Sequence, residues 1–473
     1  MVDFGGVWPV IVSLVLVKIC HWFYRWRNPK CRGKLPPGKM GFPIIGETFQ
    51  FMKPHDLSRP ISPFLEKKTL RYGPVFRTSL FGAKVVMSTD PEVNMEMAKL
   101  NSRLGAIKSL KRLFGENNVF LQTDDIHRYV RSLTFRLFGS ESLKCRIIHD
   151  LDSLTRKCFE DAAASGAFDV KETAANMMTE LAAKKVMGEM EPEAAKELEL
   201  CWRAFRTSWF QFPFTIPGTT VYKFVKARKR AMKILKELVR RKEESKEGLG
   251  DFLDIVFGEM DRGGALDIQK AVDLIFTFFV VAQETTPGIL AATVKLIAGR
   301  SDVMQELQRE HERIVQSRAD KEAGLTWEEY KSMTFTHMVV KESLRFTSAQ
   351  PTVHRTTAQD IEIGGYTMPA GWIFLGIPLV HFDQETYEDP FAFNPWRWKG
   401  KDLQATLSKS FMPFGAGPTH CVGAEFAKLA IGVFVHHLSQ YSWSMNKETR
   451  VLRSYTLRYP SGCKVQISKA TEE

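Results

Sequence analysis

Cysteine is scarce in this chain: 473 residues carry seven, Cys20, Cys31, Cys145, Cys158, Cys201, Cys421 and Cys463. The count is odd, the positions are scattered and no C-x-x-C pair occurs. That argues against a disulfide scaffold or a zinc ribbon and for a reducing compartment. Internal repeats and low-complexity segments are also lacking. With 44% hydrophobic and 25% charged residues, the disordered and fibrous classes drop out. Acidic residues fall short of basic ones, 54 against 66, which leaves a net charge of +12. Such an excess suits nucleic acid, an anionic membrane surface or an acidic protein partner. Many of the extra cations fall within 223–246, among them Lys226, Arg228, Lys229, Arg230, Arg240 and Arg241. No aromatic-interleaved basic motif accompanies them, so nucleic acid is not an expected partner. Phe224, Val225, Met232, Ile234, Leu235 and Leu238 fit one face of a helix there, which leaves the charges on a solvated surface.

Long apolar runs are missing too, except at the start. From Phe4 to Trp26 the chain is almost continuously apolar or aromatic, about the ~20 residues a helix needs to cross a bilayer. A secretory signal peptide would carry basic residues before this run and a small-residue cleavage site after it, and neither is present. A buried first helix is the other alternative. Arg25, Arg27, Lys30, Arg32 and Lys34 follow the run and Asp3 precedes it, so the C-terminal side is expected to stay cytosolic. Trp22, Tyr24 and Trp26 would then sit at the headgroup level. Next come Leu35-Pro36-Pro37-Gly38, Pro43 and Gly46, a stiff and extended strut. The expected organisation is a signal anchor over 1–27, a basic, proline-rich strut over 28–46 and one catalytic domain over 47–473.

Within that domain, Val75 to Leu80 and Lys84 to Ser88 predict a hairpin around Phe81-Gly82. Helical periodicity dominates from Pro91 to about Arg345, with breaks at 115–118, 212–218, 246–250 and 261–264. Strand-like pieces return near Ile361 to Met368 and Arg453 to Ser468. The expected fold class is mainly α with small β-sheets (α+β), the sheets drawn from both ends of the chain.

One stretch stands apart for its chemistry: Phe414-Gly415-Ala416-Gly417-Pro418-Thr419-His420-Cys421-Val422-Gly423, followed by a helical run from Ala424 to Leu438. Small residues and a proline force an irregular loop before a helix. Cys421 then lies where backbone N–H groups and the helix dipole favour a thiolate. A thiolate held this way is a good axial ligand for haem iron. The alternative is a buried free thiol after a glycine turn.

The ten-residue pattern resembles the haem-binding loop of the cytochrome P450 superfamily, F-x-x-G-x-[RHT]-x-C-x-G. Other hallmarks of that family appear upstream in order. Glu342 and Arg345 form an E-x-x-R, and Phe393-Asn394-Pro395-Trp396-Arg397-Trp398 matches F-x-P-x-R-[FW]. The resemblance makes Glu342, Arg345 and Arg397 a structural triad behind the haem. A long helix is expected from Asp267 to about Gly299, with an apolar run that changes abruptly to Gln283-Glu284-Thr285-Thr286-Pro287-Gly288. Polar groups inside a buried helix are costly unless bonded, and Pro287 removes a backbone hydrogen bond. The cluster could instead end one helix and begin another. In the family this motif places an acid and an alcohol that pass protons to dioxygen, roles that fall to Glu284 and Thr285. His127 and Arg131 match the [WH]-x-x-x-R helix that meets the haem propionates, and Arg355 matches a further propionate contact. Phe414 and Cys421 complete the haem-binding set, Cys421 as the axial iron ligand.

Two departures from the family pattern stand out. Thr419 replaces the usual arginine or histidine, with His420 adjacent, and Ala282 replaces the common glycine, with Gln283 adding an amide beside the oxygen pocket that the resemblance implies. Several segments, including Arg27-Asn28-Pro29-Lys30 and Thr326 to Phe335, look like the plant branch that oxidises sterols and triterpenoids, and most like its family numbered eighty-seven. The substrate-facing segment 101–119 departs most from that likeness. The resemblance implies a haem b monooxygenase in the endoplasmic reticulum membrane, with its catalytic domain cytosolic. It implies electrons from NADPH through the FAD- and FMN-containing NADPH–cytochrome P450 reductase, and a sterol or triterpenoid substrate that is hydroxylated or further oxidised. Side-chain cleavage of a sterol is an alternative with the same fold. A haem-thiolate isomerase or dehydratase needing no reductase is one of a different class, as is a non-enzymatic haem- or sterol-binding protein.

Overall fold

Helix α1 (Val7–Arg27) closes on Arg25 and Arg27 and leaves its apolar side chains outside the body, Trp8 66% and Val17 64% exposed. It is long and apolar enough to cross a membrane, and among the described residues nothing covers its exposed apolar surface. The last turn is nevertheless attached. Trp26 and Leu35 pack against a core cluster that includes Met40, Trp372 and Phe374. The strut lies along the body rather than standing clear of it. The Arg77 N–H donates to the Pro37 carbonyl at 2.8 Å, and the Thr367 N–H to the Lys34 carbonyl at 2.7 Å. This computed structural model describes residues 7–100, 114–115, 118, 124–188, 190–206, 217–245, 252–347, 353–400, 409–454 and 456–469. The expected breaks at 246–250 and most of 212–218, and most of the segment 101–119, lie outside the described residues.

Strands β1 (Val75–Leu80) and β2 (Ala83–Ser88) form the hairpin. Phe81 and Gly82 both adopt positive φ, 52° and 77°, the two-residue turn whose twist matches that of the strands it joins. The strand begins one residue earlier than its polar pattern suggests, because Ala83 pairs with Leu80 across the turn. After helix α2 (Pro91–Lys99) the chain is largely helical: α3 (Asp124–Phe138), α4 (Ile148–Ser165), α5 (Val170–Val186), α6 (Pro192–Arg206) and α7 (Thr220–Ser245). A short strand, β3 (Ala167–Asp169), separates α4 from α5. In α7, Phe224, Leu235 and Leu238 are buried while Lys226, Lys229, Arg230, Arg240 and Arg241 are exposed. That is the solvated face the spacing predicts.

The helix expected over Asp267 to Gly299 divides in two, α8 (Ile268–Ala282) and α9 (Thr285–Ala298). The polar cluster is the reason. Gln283 and Glu284 leave the regular ladder, and Pro287 falls in the first turn of α9, where its missing N–H has no intrahelical partner to lose. Helices α10 (Ser301–Gln316) and α11 (Thr334–Thr347) lead to β4 (Val353–Thr356), the pair β5 (Ile361–Ile363) and β6 (Tyr366–Met368), and β7 (Ile373–Gly376). Strand β7 lies parallel to β2 and antiparallel to β4, which gives a sheet of order β1-β2-β7-β4. Helix α12 (Ala424–Leu438) is apolar on nearly all sides and correspondingly buried. It packs against α4 and α11 at the centre of the helical core. Strands β8 (Tyr441–Met445) and β11 (Lys464–Lys469) close a second sheet with β3, and the pair β9 (Leu452–Arg453) and β10 (Leu457–Arg458) lies between them in sequence.

Candidate active site

The loop before α12 is shaped by two glycines in left-handed conformation, Gly415 (φ 76°) and Gly417 (φ 68°). Gly417 is required for a second reason: a Cβ there would stand 2.1 Å from the Ala98 carbonyl oxygen at the end of α2. The loop then returns on itself, the Cys421 N–H donating to the Phe414 carbonyl at 3.0 Å. Cys421 sits three residues before the first helical residue, with Gly423 as the N-cap, and its side chain is exposed although α12 behind it is buried. Dense protein around the remaining sides desolvates the thiol and pushes it up. The Gly423 N–H and Arg131 pull it in the opposite direction. The helix N-terminus alone therefore does not depress this thiol as its position suggests. A coordinated metal ion would, since a metal-bound thiol is deprotonated outright. The half-buried Phe414 ring stands 6.4 Å from that of His420.

One guanidinium group is bonded to this loop and a second reaches it through the Ala98 carbonyl. Arg131 of α3 donates to the His420 carbonyl. Burial lowers its affinity for the proton, and the nearby Cys421 sulfur raises it. His127 lies one turn earlier on the same helix, half-buried. Arg355 of β4 is fully buried and donates to the carbonyls of Ala98 at 2.8 Å and His354 at 2.9 Å. The Ala98 carbonyl thus touches both Arg355 and the cysteine loop. A haem offers iron and two carboxylates, and these residues fit it. The reachable sulfur is a soft iron donor. Both arginines are guanidinium donors of the kind that carboxylates meet.

Behind the loop lies a buried ionic cluster. Glu342 and Arg345, three apart on α11, are both fully buried, and the Glu342 carboxylate accepts from Arg345 Nε at 2.9 Å and Nη2 at 2.8 Å. Arg397, from the short turn Pro395–Trp398, donates from Nε at 3.0 Å. Sequence reading omits two further donors, the Trp398 indole at 2.9 Å and the Asn394 N–H at 3.0 Å. Arg345 also donates to the His381 carbonyl. The His381 ring accepts from the Met412 N–H at 3.0 Å, so the cluster props the start of the cysteine loop.

Glu284 and Thr285 are neighbours in sequence with separate surroundings. Successive helical residues point to different sides. Thr285 is exposed and donates to the Val281 carbonyl at 3.1 Å, beside Val281, itself 40% exposed in a mostly buried helix. Glu284 is buried and ion-paired with Lys171 at 3.1 Å. No sequence motif announces Lys171, which lies 113 residues away.

The Cytochrome P450 family profile matches residues 36–465. The chain is 40% identical to Cytochrome P450 708A2 of Arabidopsis thaliana, covering 98% of each. It is 38% identical to Cytochrome P450 87A3 of Oryza sativa subsp. japonica, covering 94% of this chain and 88% of that one. To the cucurbitadienol 11-hydroxylase of Siraitia grosvenorii it is 34% identical, covering 98% and 99%. A retinoic-acid-bound cyanobacterial P450 shares the fold at a TM-score of 0.81 and 23% identity, over 93% of this chain and 100% of the other. With the family profile running through most of its length and relatives of this identity covered almost end to end, the chain belongs to the cytochrome P450 family of monooxygenases.

Proposed function

We propose that this protein is a haem-thiolate monooxygenase that hydroxylates a sterol or triterpenoid, anchored in the endoplasmic reticulum membrane by α1 and supplied with electrons from NADPH by its flavoprotein reductase. The observation that carries the reading is the exposed Cys421 on a glycine-shaped turn, with Arg131 bonded to that turn and Arg355 joined to it through the Ala98 carbonyl. Cys421 would hold the haem iron through its sulfur, and Arg131, Arg355 and His127 would hold the carboxylates. Bound haem supplies the activation of dioxygen. Thr285, with its hydroxyl on the exposed face of the helix break, holds a proton at Oγ1, and Glu284 replenishes it. This retained acid and alcohol favour a monooxygenase over an isomerase, which has no use for delivered protons. The substrate class is supported by the cucurbitadienol named for one relative.

The test is coexpression with a plant reductase, fed cucurbitadienol, β-amyrin and cholesterol under ¹⁸O-labelled dioxygen and read by mass spectrometry. An NADPH-dependent product carrying one labelled oxygen is expected. Products that form without NADPH or without label would overturn the monooxygenase reading. Label in none of the three would overturn the substrate class.

A further inference from the structure

The root of α1 carries a polar cleft remote in sequence from the cysteine loop. Arg32 and Gly33 of the strut form one side, and Gln359, Asp360, Glu362 and Thr367, in and before the β5–β6 hairpin, form the other. Its volume is 640 Å³, within the range of about 300–1,000 Å³ usual for ligand sites. The two sides are fastened together. The Thr367 N–H donates to the Lys34 carbonyl at 2.7 Å. A Cβ on Gly33 would collide with Thr367 Oγ1 and stand 3.1 Å from Glu362 Oε1. The depth of the cleft follows from α1. Its 21 residues are about 31 Å long at 1.5 Å per residue, which matches a hydrocarbon core of about 30 Å. The chain beyond Arg27 therefore emerges among lipid headgroups.

Charges of both signs line the cleft. Arg32, Asp360 and Glu362 are exposed, and among the described residues none of the three is ion-paired. Each carboxylate uses one oxygen inside the hairpin: Asp360 Oδ1 accepts the Ala370 N–H at 2.9 Å, and Glu362 Oε1 accepts the Thr367 hydroxyl. Neither bond uses the second oxygen. The nearby cations Lys34 and Lys84 stand over aromatic rings instead, 5.2 Å from the centre of Tyr366 and 5.7 Å from that of Trp372. A lipophilic substrate gains little from such a lining, since it would desolvate the charges without pairing them. A zwitterion matches it, with a phosphate on Arg32 and an ammonium on the two carboxylates. Recognition of a quaternary ammonium draws on aromatic faces, and among the described residues no aromatic ring lines the cleft. A primary ammonium, with three N–H donors, is the better fit.

We propose that this cleft binds the headgroup of a phosphatidylethanolamine lipid, phosphate to Arg32 and ammonium to Asp360 and Glu362. This rests on the reading of α1 as a membrane span. One lipid held there bridges the strut and the hairpin and so secures the root of the anchor to the domain.

The experiment uses full-length holoprotein in detergent, titrated with phosphatidylethanolamine, phosphatidylcholine or phosphatidylglycerol of identical acyl chains. Bound lipid is counted by native mass spectrometry. Each variant is first shown to hold haem by its reduced CO spectrum. An exposed ionic contact contributes a factor of roughly two to five, so with two carboxylates on the ammonium, phosphatidylethanolamine should bind about tenfold tighter than phosphatidylcholine. Phosphatidylglycerol, which has no ammonium, should bind no tighter than phosphatidylcholine. Asp360→Asn combined with Glu362→Gln keeps an oxygen for Ala370 and Thr367 but removes both charges, and should abolish the preference. Arg32→Gln should weaken phosphatidylethanolamine and phosphatidylcholine alike, because both carry the phosphate. Equal binding of the two lipids by wild type overturns the proposal, as does a preference that survives the double variant. Tightest binding of phosphatidylglycerol also overturns it, since the basic strut would then merely collect negative charge. The anchor is tested separately by alkaline carbonate extraction from phosphatidylcholine vesicles. Release of the protein overturns the span and the proposal with it, whereas retention without a phosphatidylethanolamine preference overturns the proposal alone.

Discussion

The ionic cluster behind the cysteine loop permits a quantitative test. Among the described residues Glu342 is the single carboxylate shared by Arg345 and Arg397, so there the cluster carries one excess positive charge. Glu342→Gln keeps the shape and removes the negative charge, stranding two guanidinium groups, one of them with no exposure at all. Breaking a buried pair by removing one partner costs about 3–5 kcal/mol. Set against a total stability of about 5–15 kcal/mol for a folded protein, that lowers the folded-to-unfolded ratio by roughly 10²–10⁴. Trp398→Phe deletes one donor to the same carboxylate and leaves the charges in place, so it should cost only about 1–2 kcal/mol. The assay is the urea midpoint of holoprotein, paired with the yield of CO-binding haem at equal expression. Because His381 and Met412 link the cluster to the cysteine loop, haem yield should fall before helicity does. A Glu342→Gln midpoint within about 1 kcal/mol of wild type, or equal to that of Trp398→Phe, would refute the claim that charge balance holds this part of the fold.

Cys421→Ala should abolish the red-shifted CO band and all turnover while the far-ultraviolet circular dichroism stays near wild type; an intact thiolate-type CO spectrum would exclude Cys421 as ligand. Thr285→Ala should divert electrons to peroxide with substrate affinity little changed, so unaltered coupling of NADPH use to product would count against its proton role. Acid should destabilise the protein through histidines that burial keeps neutral, chiefly His381 and His311, both held down to about 3 against an ordinary 6.5. Their contribution is complete above pH 6.5 and is lost as pH falls from there toward 3, because only the unfolded chain takes up the protons. Near pH 5 the two together should cost about 4 kcal/mol, and urea midpoints that stay flat between pH 7 and 5 would contradict this. Raising ionic strength should slow reductase-driven turnover far more than peroxide-driven turnover, since exposed charges are screened beyond about 8–10 Å; equal slowing of both would rule out electrostatic docking of an acidic reductase.

What could be read from the sequence was local. The hairpin is legible because Phe81-Gly82 supplies both positive-φ positions between alternating residues, and the cysteine loop because its glycines and thiol are contiguous. The polar cluster at 283–288 shows that something happens to the helix. Its outcome as a break depended on Pro287 falling within a first turn, which the residue order leaves open between two readings. What could not be read were pairings between distant segments. The parallel contact of β2 with β7 joins Val85 to Ile373, and no periodicity encodes such a partner. Lys171 is likewise one lysine among many until folding sets it against Glu284. Trp398 illustrates the middle case: it stands in a recognised motif, yet its indole bond to Glu342 becomes visible only when the turn closes.

The attachment of Trp26 to the body has a mechanical consequence. A helix joined by a floppy tether can lean in a bilayer without affecting what it carries. Here the last turn of α1 shares a packed cluster with Trp372 and Phe374, and the following residues are bonded to Arg77 and Thr367. A membrane-spanning helix answers a thinner bilayer by tilting, and with this joint the tilt would rotate the whole domain about the same hinge-less root. Membrane thickness would then act as a lever on how the domain is oriented against the lipid surface.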